Sequence, residues 1–435
     1  FFIFFVNNMT IYDLVVVGGG PGGIMGAISA FINSHNNQKS LKIAIIEKNS
    51  FLGKKLLLTG GKRCNITNMK PVKELLLKTS NKTFLKHSFY SFPPEKLLEI
   101  FKSKGLDFKI EEDDKVYPKN GDSRSVLNIL MEYLKEFNVD IFLNSPVENI
   151  KKEGDYFITS SLNNIFYSKN LLISTGGITY PTTGSTGDGY VFASNFSHTL
   201  SKIHQGLLSL TSNDNFIKSL SGISFKNITI SFKHKSTKYF KKGDILFTHF
   251  GLSGPGILDL SNDILEAICL PNKSSDFLND IFNNFYIKLD FLPQYNNEEL
   301  KNIFKTEFNK NGKLKIKNYL KQFLPNRFIE DFLECIGVNS DKQLSNIKKD
   351  EVNSLVTNLK NFKVNINGFF NKEHGIITCG GVNSKEINPK TMESKIIKCL
   401  FFSGEVIDVY GSTGGYNLQI AFSTGYLAGL SLKLD

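Results

Sequence analysis

A glycine-rich segment near the start of the chain has the residue types and spacing that could bind a diphosphate. The apolar run 13–17 is followed by Gly-Gly-Gly-Pro-Gly-Gly and then by a segment of helical character beginning at Ile24. This segment contains the pattern G-x-G-x-x-G, in which the first glycine permits a tight turn and the second lets the backbone approach a pyrophosphate. The third lets the helix pack on the strand, and the helix N-terminus receives the phosphates. The predicted cofactor contacts here are Gly18, Gly20, Pro21, Gly22 and Gly23.

A carboxylate follows at the distance that a dinucleotide fold requires. The second apolar run, 42–46, ends at Glu47, 24 residues after Gly23. A carboxylate at this point can accept hydrogen bonds from both hydroxyls of an adenosine ribose, and it disfavours a ribose 2′-phosphate. The complete βαβ context makes a glycine-rich turn without a ligand the weaker alternative. The pattern does not distinguish NAD from FAD.

Two later strand ends and a third glycine-rich loop favour FAD. The runs 171–174 and 400–403 both end at glycines, and the second continues into Glu405, which could bind a ribityl hydroxyl. The loop 411–415 then leads into a terminal helix, whose free N–H groups could face the pyrimidine edge of a flavin and stabilise negative charge there. Each segment alone could be an ordinary turn, but their order favours a flavin. The predicted contacts are Thr175, Gly176, Gly177, Gly404, Glu405, Asn417, Leu418 and Gln419.

The charge composition gives special weight to arginine. The chain of 435 residues has a net charge of +11, yet only three of its 52 cationic residues are arginines. This lysine excess indicates a composition bias, so an arginine that persists is expected where a planar guanidinium is required. We therefore expect Arg63 to form paired hydrogen bonds to FAD or to a fixed carboxylate.

Several classes of protein are disfavoured. The longest apolar run, Phe1 to Val6, is far shorter than the ~20 residues of a membrane span, and residues 1–8 are left out of the fold prediction because Met9 could be the initiator. The five cysteines lack the spacing of a metal site, so we expect no metal and a reducing, cytoplasmic compartment. They are Cys64, Cys269, Cys335, Cys379 and Cys399.

Longer strings of sequence carry a family resemblance that runs nearly end to end. The sequence resembles the HI0933-like (YhiN/BaiN) flavoproteins. The segments that carry the resemblance are 53–68, 181–190, 246–255, 379–382 and 391–395. One departure is Lys62, where the family usually has glycine. The resemblance implies an α/β fold with a bipartite, glutathione-reductase-type FAD-binding Rossmann domain. It also implies an inserted β-barrel-like subdomain and a small helical subdomain.

Residue periodicity agrees with such an insertion. Alternating apolar residues at 228–232 and 285–291 predict strands, and the apolar spacing between 297 and 360 is helical. The predicted domains are a first FAD-binding part at 9–205, a barrel-like subdomain at 206–296, a helical subdomain at 297–360, a return strand at 361–374 and a second FAD-binding part at 375–435.

Three residues are candidates for catalysis: Cys64, Arg63 and His249. Cys64 lies between Arg63 and Asn65, where a neighbouring cation could lower the pKa of its thiol. The thiol could then donate a proton to a substrate carbon. Packing against the flavin is the alternative for Cys64, and a buried core position is the alternative for His249. We expect Asp188 to cap a helix rather than to titrate. The remaining predicted cofactor contacts are Lys48, Lys54, Gly61, Arg63, Cys64, Asn65 and Val147.

The function hypotheses follow from these residues and from the resemblance. No second G-x-G-x-x-G follows a strand, so NAD(P)H would visit the flavin transiently. The first hypothesis is reduction of an activated C=C bond, which the resemblance extends to uridine in ribosomal RNA. The alternatives are an oxidase or reductase of a small metabolite, and a flavin-binding, ribosome-associated protein without turnover.

Two lysine-rich stretches with interleaved aromatic residues bear on the choice among these hypotheses. They lie at 226–242 and 310–327, each without an acidic residue, and such stretches can bind phosphates and stack bases. A solvated lysine face is the alternative interpretation.

Overall fold

A computed structural model describes residues 10–269, 282–370 and 375–433. The chain forms two compact units. The first consists of Phe1–Gln205 and Gly375–Asp435, and the second is Gly206–His374.

The described strands are two to twelve residues long and are spread over both units. In chain order they are β1 Ile11–Val17, β2 Ile43–Ile46, β3 Thr67–Asn68, β4 Phe108–Ile110, β5 Lys115–Pro118, β6 Asp140–Phe142, β7 Val147–Glu153, β8 Tyr156–Ser161, β9 Asn164–Ile173, β10 Leu200–Gly206, β11 Leu210–Thr211, β12 Ser224–His234, β13 Thr237–Thr248, β14 Gly251–Ser253, β15 Tyr286–Asp290, β16 Phe362–Asn365, β17 Gly368–Phe369, β18 Ile377–Val382 and β19 Leu400–Phe402.

The described α-helices connect and cover these strands. They are α1 Pro21–Asn36, α2 Val72–Leu77, α3 Lys82–Ser91, α4 Pro94–Lys102, α5 Ser123–Glu136, α6 Asp188–Asn195, α7 Phe216–Ser219, α8 Pro255–Ile264, α9 Asn297–Lys310, α10 Ile316–Leu320, α11 Asn326–Cys335, α12 Lys349–Asn361 and α13 Tyr416–Leu430.

The first unit is built on a parallel sheet with the order β6-β2-β1-β9, and β19 also pairs with β9. Strands β2 and β19 are buried along their whole length, as expected for a parallel sheet that is covered on both faces. Strand β9 has three partners. It pairs with β1 between residues 167 and 173, with β8 of an antiparallel meander at residues 164–168, and with β19 at residues 171–173. The predicted α/β Rossmann fold is confirmed.

Because the central strands are parallel, their carboxyl ends lie at one edge of the sheet. Strands β1, β2, β9 and β19 end just before Gly18, Glu47, Ser174 and Ser403. This edge is where open α/β sheets bind their ligands.

Helices α1 and α13 touch through their backbones. A Cβ atom on Gly425 would lie 2.1 Å from the carbonyl oxygen of Gly22, and a Cβ on Gly429 would lie 2.1 Å from that of Gly26. Glycines four residues apart on each helix therefore allow an approach that a larger side chain would prevent. The contact joins the helix that follows β1 to the terminal helix.

The second unit is an antiparallel sheet with the order β16-β15-β12-β13-β14-β11-β17. Strands β16 and β17 are at opposite ends of this order, yet only two residues separate them along the chain. The sheet must therefore curve until its ends meet, as in a barrel. Residues of helices α9 to α12 share one apolar core with the strands, for example Phe328 against Phe225 at 4.8 Å between ring centroids.

We expect Gly425→Ala to destabilise the protein by about 1–3 kcal/mol or more, because overpacking would push α13 away from α1. Chemical denaturation followed by circular dichroism measures the effect. Gly368→Ala is the matched control, since its Cβ would meet only Thr211 Oγ1 at 3.4 Å. Unfolding of Gly425→Ala at the wild-type denaturant concentration would contradict the backbone contact.

Candidate cofactor site

The loop between β1 and α1 leaves an open place for a diphosphate. Gly18 has φ +102° and no room for a side chain, whereas a Cβ on Gly20 would meet no protein atom within 4 Å. Helix α1 begins with Pro21 and no side chain caps it. Among the residues that the structure describes, the backbone N–H groups of Gly22 and Gly23 have no acceptor. Free N–H groups at a helix N-terminus are the donors that a phosphate-binding turn requires.

Glu47 holds this loop in place. One of its carboxylate oxygens accepts a hydrogen bond from the Gly19 N–H at 2.8 Å, and the other accepts two from Asn49, at 2.9 Å from the backbone N–H and 2.7 Å from the amide nitrogen. A carboxylate offers about four acceptor positions, so one remains for a ribose hydroxyl. Val147 begins strand β7 nearby, two residues after Ser145, whose N–H donates to the Glu47 carbonyl at 2.9 Å.

Within the described part of the chain, several buried polar atoms have no hydrogen-bond partner, and three of them belong to residues at this site. These three are Asn65 Oδ1, Thr175 Oγ1 and Ser403 Oγ. Thr175 follows the end of β9 and Ser403 follows the end of β19, and a Cβ on Gly22 would lie 2.9 Å from Ser403 Oγ. Buried polar atoms almost always find a partner. The hydroxyls, ring heteroatoms and phosphates of FAD could supply these partners, so the residues fit the group.

The glycine loop before α13 offers a second pair of free donors. Gly414 and Gly415 have φ +119° and +96°, and a Cβ on Gly415 would lie 2.4 Å from the Thr67 carbonyl oxygen. The N–H groups of Asn417 and Leu418 in the first turn of α13 have no acceptor within the described part of the chain. Such donors can stabilise negative charge on a bound ring.

The side chains of Asn417 and Gln419 shape this loop instead of reaching outward. Asn417 accepts from the Gly411 N–H at 2.8 Å and donates to its carbonyl at 2.9 Å. Buried Gln419 accepts from Thr67 Oγ1 at 2.5 Å and donates to the Phe92 carbonyl at 2.9 Å. If these residues contact a cofactor, they do so through their backbone.

Glu405 is held by Lys55, which is not among the contacts predicted from the sequence. Its carboxylate accepts from Lys55 Nζ at 2.7 Å and from the Thr378 N–H at 2.5 Å. Lys55 also donates to Thr179 Oγ1 at 2.7 Å. The predicted contact Lys54 instead lies 3.4 Å from Asn49 Oδ1. The two lysines are adjacent, and no pattern in the sequence shows which of them turns toward Glu405.

A further ion pair joins Lys48 to Asp188. Lys48 Nζ contacts the Asp188 carboxylate and the Thr186 hydroxyl. The prediction that Asp188 caps a helix is wrong: it is the first residue of α6, and the preceding Gly187 takes the cap position without a side-chain bond. The left-handed φ of Gly187, +86°, favours glycine there over a capping side chain.

The segment 175–177 packs tightly. Gly176 has φ +75°, and a Cβ on Gly177 would lie 2.0 Å from Thr378 Oγ1. The small residues therefore let the segment that carries Thr378 pass close to the end of β9.

The loop that carries Cys64 has an unusual backbone. Gly60, Gly61, Lys62 and Cys64 all have positive φ, at +56°, +64°, +75° and +59°. A Cβ on Gly61 would meet nothing within 4 Å. Lys62 therefore occupies a left-handed conformation that glycine adopts without strain, at the position where the sequence departs from the family pattern.

Arg63 uses its planar group differently from the prediction. The structure gives it one hydrogen bond to a carboxylate, NH2 to Glu111 Oε1 at 2.5 Å, rather than a pair. Its guanidinium also lies 4.2 Å from the centre of the Tyr117 ring, and its side chain is 53% exposed. The planarity thus serves stacking on an aromatic ring, which lysine reproduces poorly.

Cys64 is not an activated thiol. It is fully buried, and burial raises its pKa to about 11. The expectation that Arg63 lowers this pKa is wrong, because desolvation of the thiolate dominates at this position. Cys64 therefore keeps its proton at neutral pH.

His249 lies in the second unit, in the turn between β13 and β14. Its side chain is exposed and meets Phe250 edge-on at 5.1 Å between ring centroids. The alternative of a buried core histidine is therefore wrong.

Among the described residues, no helix combines the length and the apolar character that crossing a bilayer requires. The same residues contain no group of three His, Cys, Asp or Glu side chains arranged to hold a metal ion.

The parallel sheet, the open glycine loop and the unpartnered donors define a dinucleotide-binding protein of the Rossmann class. The chain belongs to the HI0933-like family of FAD-dependent oxidoreductases, whose Rossmann-domain model matches residues 12–431. The resemblance stated from the sequence is thus confirmed.

Two curated relatives match over nearly their full length. The chain is 28% identical over 417 residues to a 3-dehydro-bile acid delta(4,6)-reductase of Clostridium scindens, covering 95% of this chain and 97% of the relative. It is 28% identical over 425 residues to a ribosomal RNA dihydrouridine synthase of Haemophilus influenzae, covering 96% and 98%. Among solved structures, the 3-ketosteroid-delta4-(5alpha)-dehydrogenase of Rhodococcus jostii matches with a TM-score of 0.45 and 12% identity over 99% of this chain and 98% of that one.

We expect Gly20→Ala to weaken FAD binding by tenfold or more while leaving the stability of the apoprotein nearly unchanged. The added Cβ meets no protein atom, but it would occupy the space that the second glycine of the pattern leaves for pyrophosphate. Titration of apoprotein with FAD and thermal unfolding of the apoprotein separate the two effects.

The matched control for Gly20 is Gly23→Ala, whose Cβ would lie 2.2 Å from the Gly18 carbonyl oxygen. It should lose stability as well as FAD. Wild-type FAD affinity in Gly20→Ala would show that the diphosphate binds elsewhere.

The raised pKa of Cys64 predicts slow alkylation of the native protein. At pH 8 only about one thiol in a thousand would be ionised for a pKa of about 11. The rate should rise about tenfold per pH unit, because a raised pKa keeps the thiol protonated until the pH approaches it. Iodoacetamide labelling with peptide mass spectrometry checks this, with exposed Cys335 as the internal reference. Labelling of Cys64 as fast as Cys335 at pH 8 would refute the assignment.

Proposed function

We propose that this protein uses NAD(P)H to reduce an activated C=C bond of its substrate. The observation that carries the proposal is the pair of free N–H groups at Asn417 and Leu418, at the start of a helix whose dipole adds to their positive potential. Donors in this position favour a ring that gains negative charge on reduction. Bound FAD would supply the hydride chemistry.

The chain's own residues would bind and orient the cofactor. The N–H groups of Gly22 and Gly23 would hold the diphosphate, and Glu47 would accept a ribose hydroxyl through its remaining acceptor position. Asn65, Thr175 and Ser403 would pair their free polar atoms with the cofactor. Since the sequence has one dinucleotide fingerprint, NAD(P)H would act as a transient reductant rather than a resident of its own domain.

Reduction of a carbon also requires a proton. Cys64 holds a proton on Sγ at neutral pH, because its raised pKa keeps it neutral, and it is one candidate donor. Exposed His249 is the other. Arg63, fixed on Tyr117 and Glu111, is a candidate for contact with FAD or substrate rather than a proton donor, since its guanidinium does not release its proton.

The substrate that we favour is uridine in ribosomal RNA, which would become dihydrouridine. The name of the Haemophilus relative supports it, and so does the lysine-rich stretch 226–242 with its interleaved aromatic residues. The bile acid reductase, equally similar in identity, supports the alternative of a small unsaturated metabolite. Both names describe saturation of a C=C bond, so the reaction class is common to both. All five cysteines are thiols rather than halves of a disulfide, which supports the cytoplasmic location that an rRNA substrate requires.

Mass spectrometry of large-subunit rRNA nucleosides tests the substrate. Deletion of the gene should remove dihydrouridine, and wild-type but not Gly20→Ala protein should restore it. Unchanged dihydrouridine in the deletion strain, together with NAD(P)H-dependent reduction of a small enone, would favour the metabolite. No NAD(P)H oxidation with either substrate would favour a binding protein without turnover.

The donor is identified by separating the two half-reactions. We expect Cys64→Ser or His249→Gln, whichever removes the donor, to lower substrate reduction about 100-fold or more. Reduction of the bound flavin by NAD(P)H should stay at the wild-type rate in both variants, because no proton is transferred to the substrate in that half-reaction. If neither variant slows substrate reduction, the donor is another group or water.

A further inference from the structure

One face of the second unit's sheet gathers lysines from four adjacent strands. The strands lie in the order β13-β12-β15-β16, and in antiparallel strands directly paired residues lie on the same face. Lys233 pairs with Lys238, Thr229 with Lys242, and Ser231 with both Phe240 and Lys288, while Lys288 pairs in turn with Lys363. We call this the basic sheet face. Its cationic members are Lys233, Lys238, Lys242, Lys288 and Lys363.

Two aromatic rings lie among these lysines. Phe240 is 67% exposed, although the next ring along its strand, Tyr239, stacks on Phe232 at 4.6 Å. Tyr286 is partly exposed on the same face, with Lys363 Nζ 3.9 Å from its ring centre. An exposed phenylalanine surrounded by lysines is a surface on which a base could stack while its phosphates are neutralised.

The positive charge of this face is not neutralised by the strands that form it. Their two acidic residues, Asp244 and Asp290, have other partners: Asp244 accepts from the Asn227 N–H at 2.9 Å, and Asp290 pairs with Lys360 at 2.8 Å. None of the five lysines of the face forms an ion pair with a described residue. Lys241 is on the opposite side of its strand and pairs with Asp263 at 3.0 Å.

The other lysine-rich stretch, 310–327, differs in this respect. Lys315 and Lys317 lie 3.0 and 3.1 Å from the Asp341 carboxylate, and Lys317 also meets Glu330 at 3.4 Å. These contacts raise the pKa of Lys317 and neutralise the stretch locally. The structure therefore separates two stretches that look alike in the sequence.

We propose that the basic sheet face binds a single-stranded segment of RNA, with the lysines on the phosphates and Phe240 stacked on an unpaired base. The inference deepens the proposed function, because it rests on RNA being the substrate. A single strand fits better than a duplex, whose bases are already stacked and would leave Phe240 without a partner. An acidic protein would satisfy the lysines but not a ring exposed among them.

The test measures binding of full-length, FAD-loaded protein to a fluorescent single-stranded oligouridine at several salt concentrations. A variant with Lys233, Lys238, Lys288 and Lys363 changed to glutamine should bind at least about tenfold more weakly. Its plot of log affinity against log salt should lose about three units of slope, at about 0.7 for each lost phosphate contact. FAD content should stay at the wild-type level.

A second variant with the same loss of charge is the matched control. It changes Lys73, Lys82, Lys86 and Lys135, which are exposed lysines of the first unit, to glutamine. Its affinity and salt slope should remain within about twofold of wild type. An equal loss of affinity in both variants would show that binding depends only on net charge. It would overturn the proposal that the basic sheet face is the binding surface.

Phe240→Ala separates stacking from charge. It should weaken binding by about 5-fold to 150-fold without changing the salt slope, because it removes a ring and no charge. Two results would contradict stacking of a base on Phe240. One is wild-type affinity in Phe240→Ala, and the other is binding of a duplex of the same length as tightly as the single strand.

Failure of this inference is distinguishable from failure of the proposed function. Loss of rRNA dihydrouridine in the deletion strain, with unchanged oligouridine binding in the four-lysine variant, would refute the basic sheet face alone. Unchanged rRNA dihydrouridine in that strain, with the predicted losses of oligouridine binding, would refute rRNA uridine as the substrate. It would still support the basic sheet face as an RNA-binding surface.

Discussion

The backbone contact between α1 and α13 is the constraint on which the first unit depends. Each helix contributes two glycines, and a Cβ on either glycine of α13 would overlap a carbonyl oxygen of α1. The same two helices carry the free N–H groups at Gly22 and Gly23 and at Asn417 and Leu418. Close packing of the helices therefore fixes the distance between the donors for a diphosphate and the donors for a ring. No side chain performs this task, which is why the glycines on both helices matter beyond the loop pattern.

The charged residues of the candidate site mostly satisfy one another. Lys48 pairs with Asp188, Lys55 with Glu405 and Arg63 with Glu111. The groups left without partners are neutral: backbone N–H groups, two hydroxyls and one amide oxygen. Apart from the carboxylate of Glu47, a cofactor would therefore meet oriented dipoles rather than mobile ions. Dipoles that are already oriented need little reorganisation when charge develops.

The sequence was most informative where a requirement is local. The spacing of Gly18, Gly20, Gly23 and Glu47 is set by two neighbouring strands, one turn and one helix, and the structure places these residues at one edge of the sheet. The partner of Glu405 was not predictable, because Lys55 lies 350 residues away along the chain and has a lysine beside it. The pKa of Cys64 was misjudged because a neighbour in sequence, Arg63, turns toward Glu111 while the thiol is buried. The basic sheet face depends on strand register, which a single sequence does not specify.

The α1 and α13 contact also has a consequence for biosynthesis. About 400 residues separate Gly26 from Gly425, and at about 5–20 residues per second a ribosome needs roughly 20–80 s to make them. During that interval the glycine-lined side of α1 has no helix to cover it, and a nascent chain cannot yet hold the ring end of the flavin. The set of donors that would hold the cofactor is therefore incomplete until α13 has been synthesised. The half-made domain is the species that chaperones would have to protect.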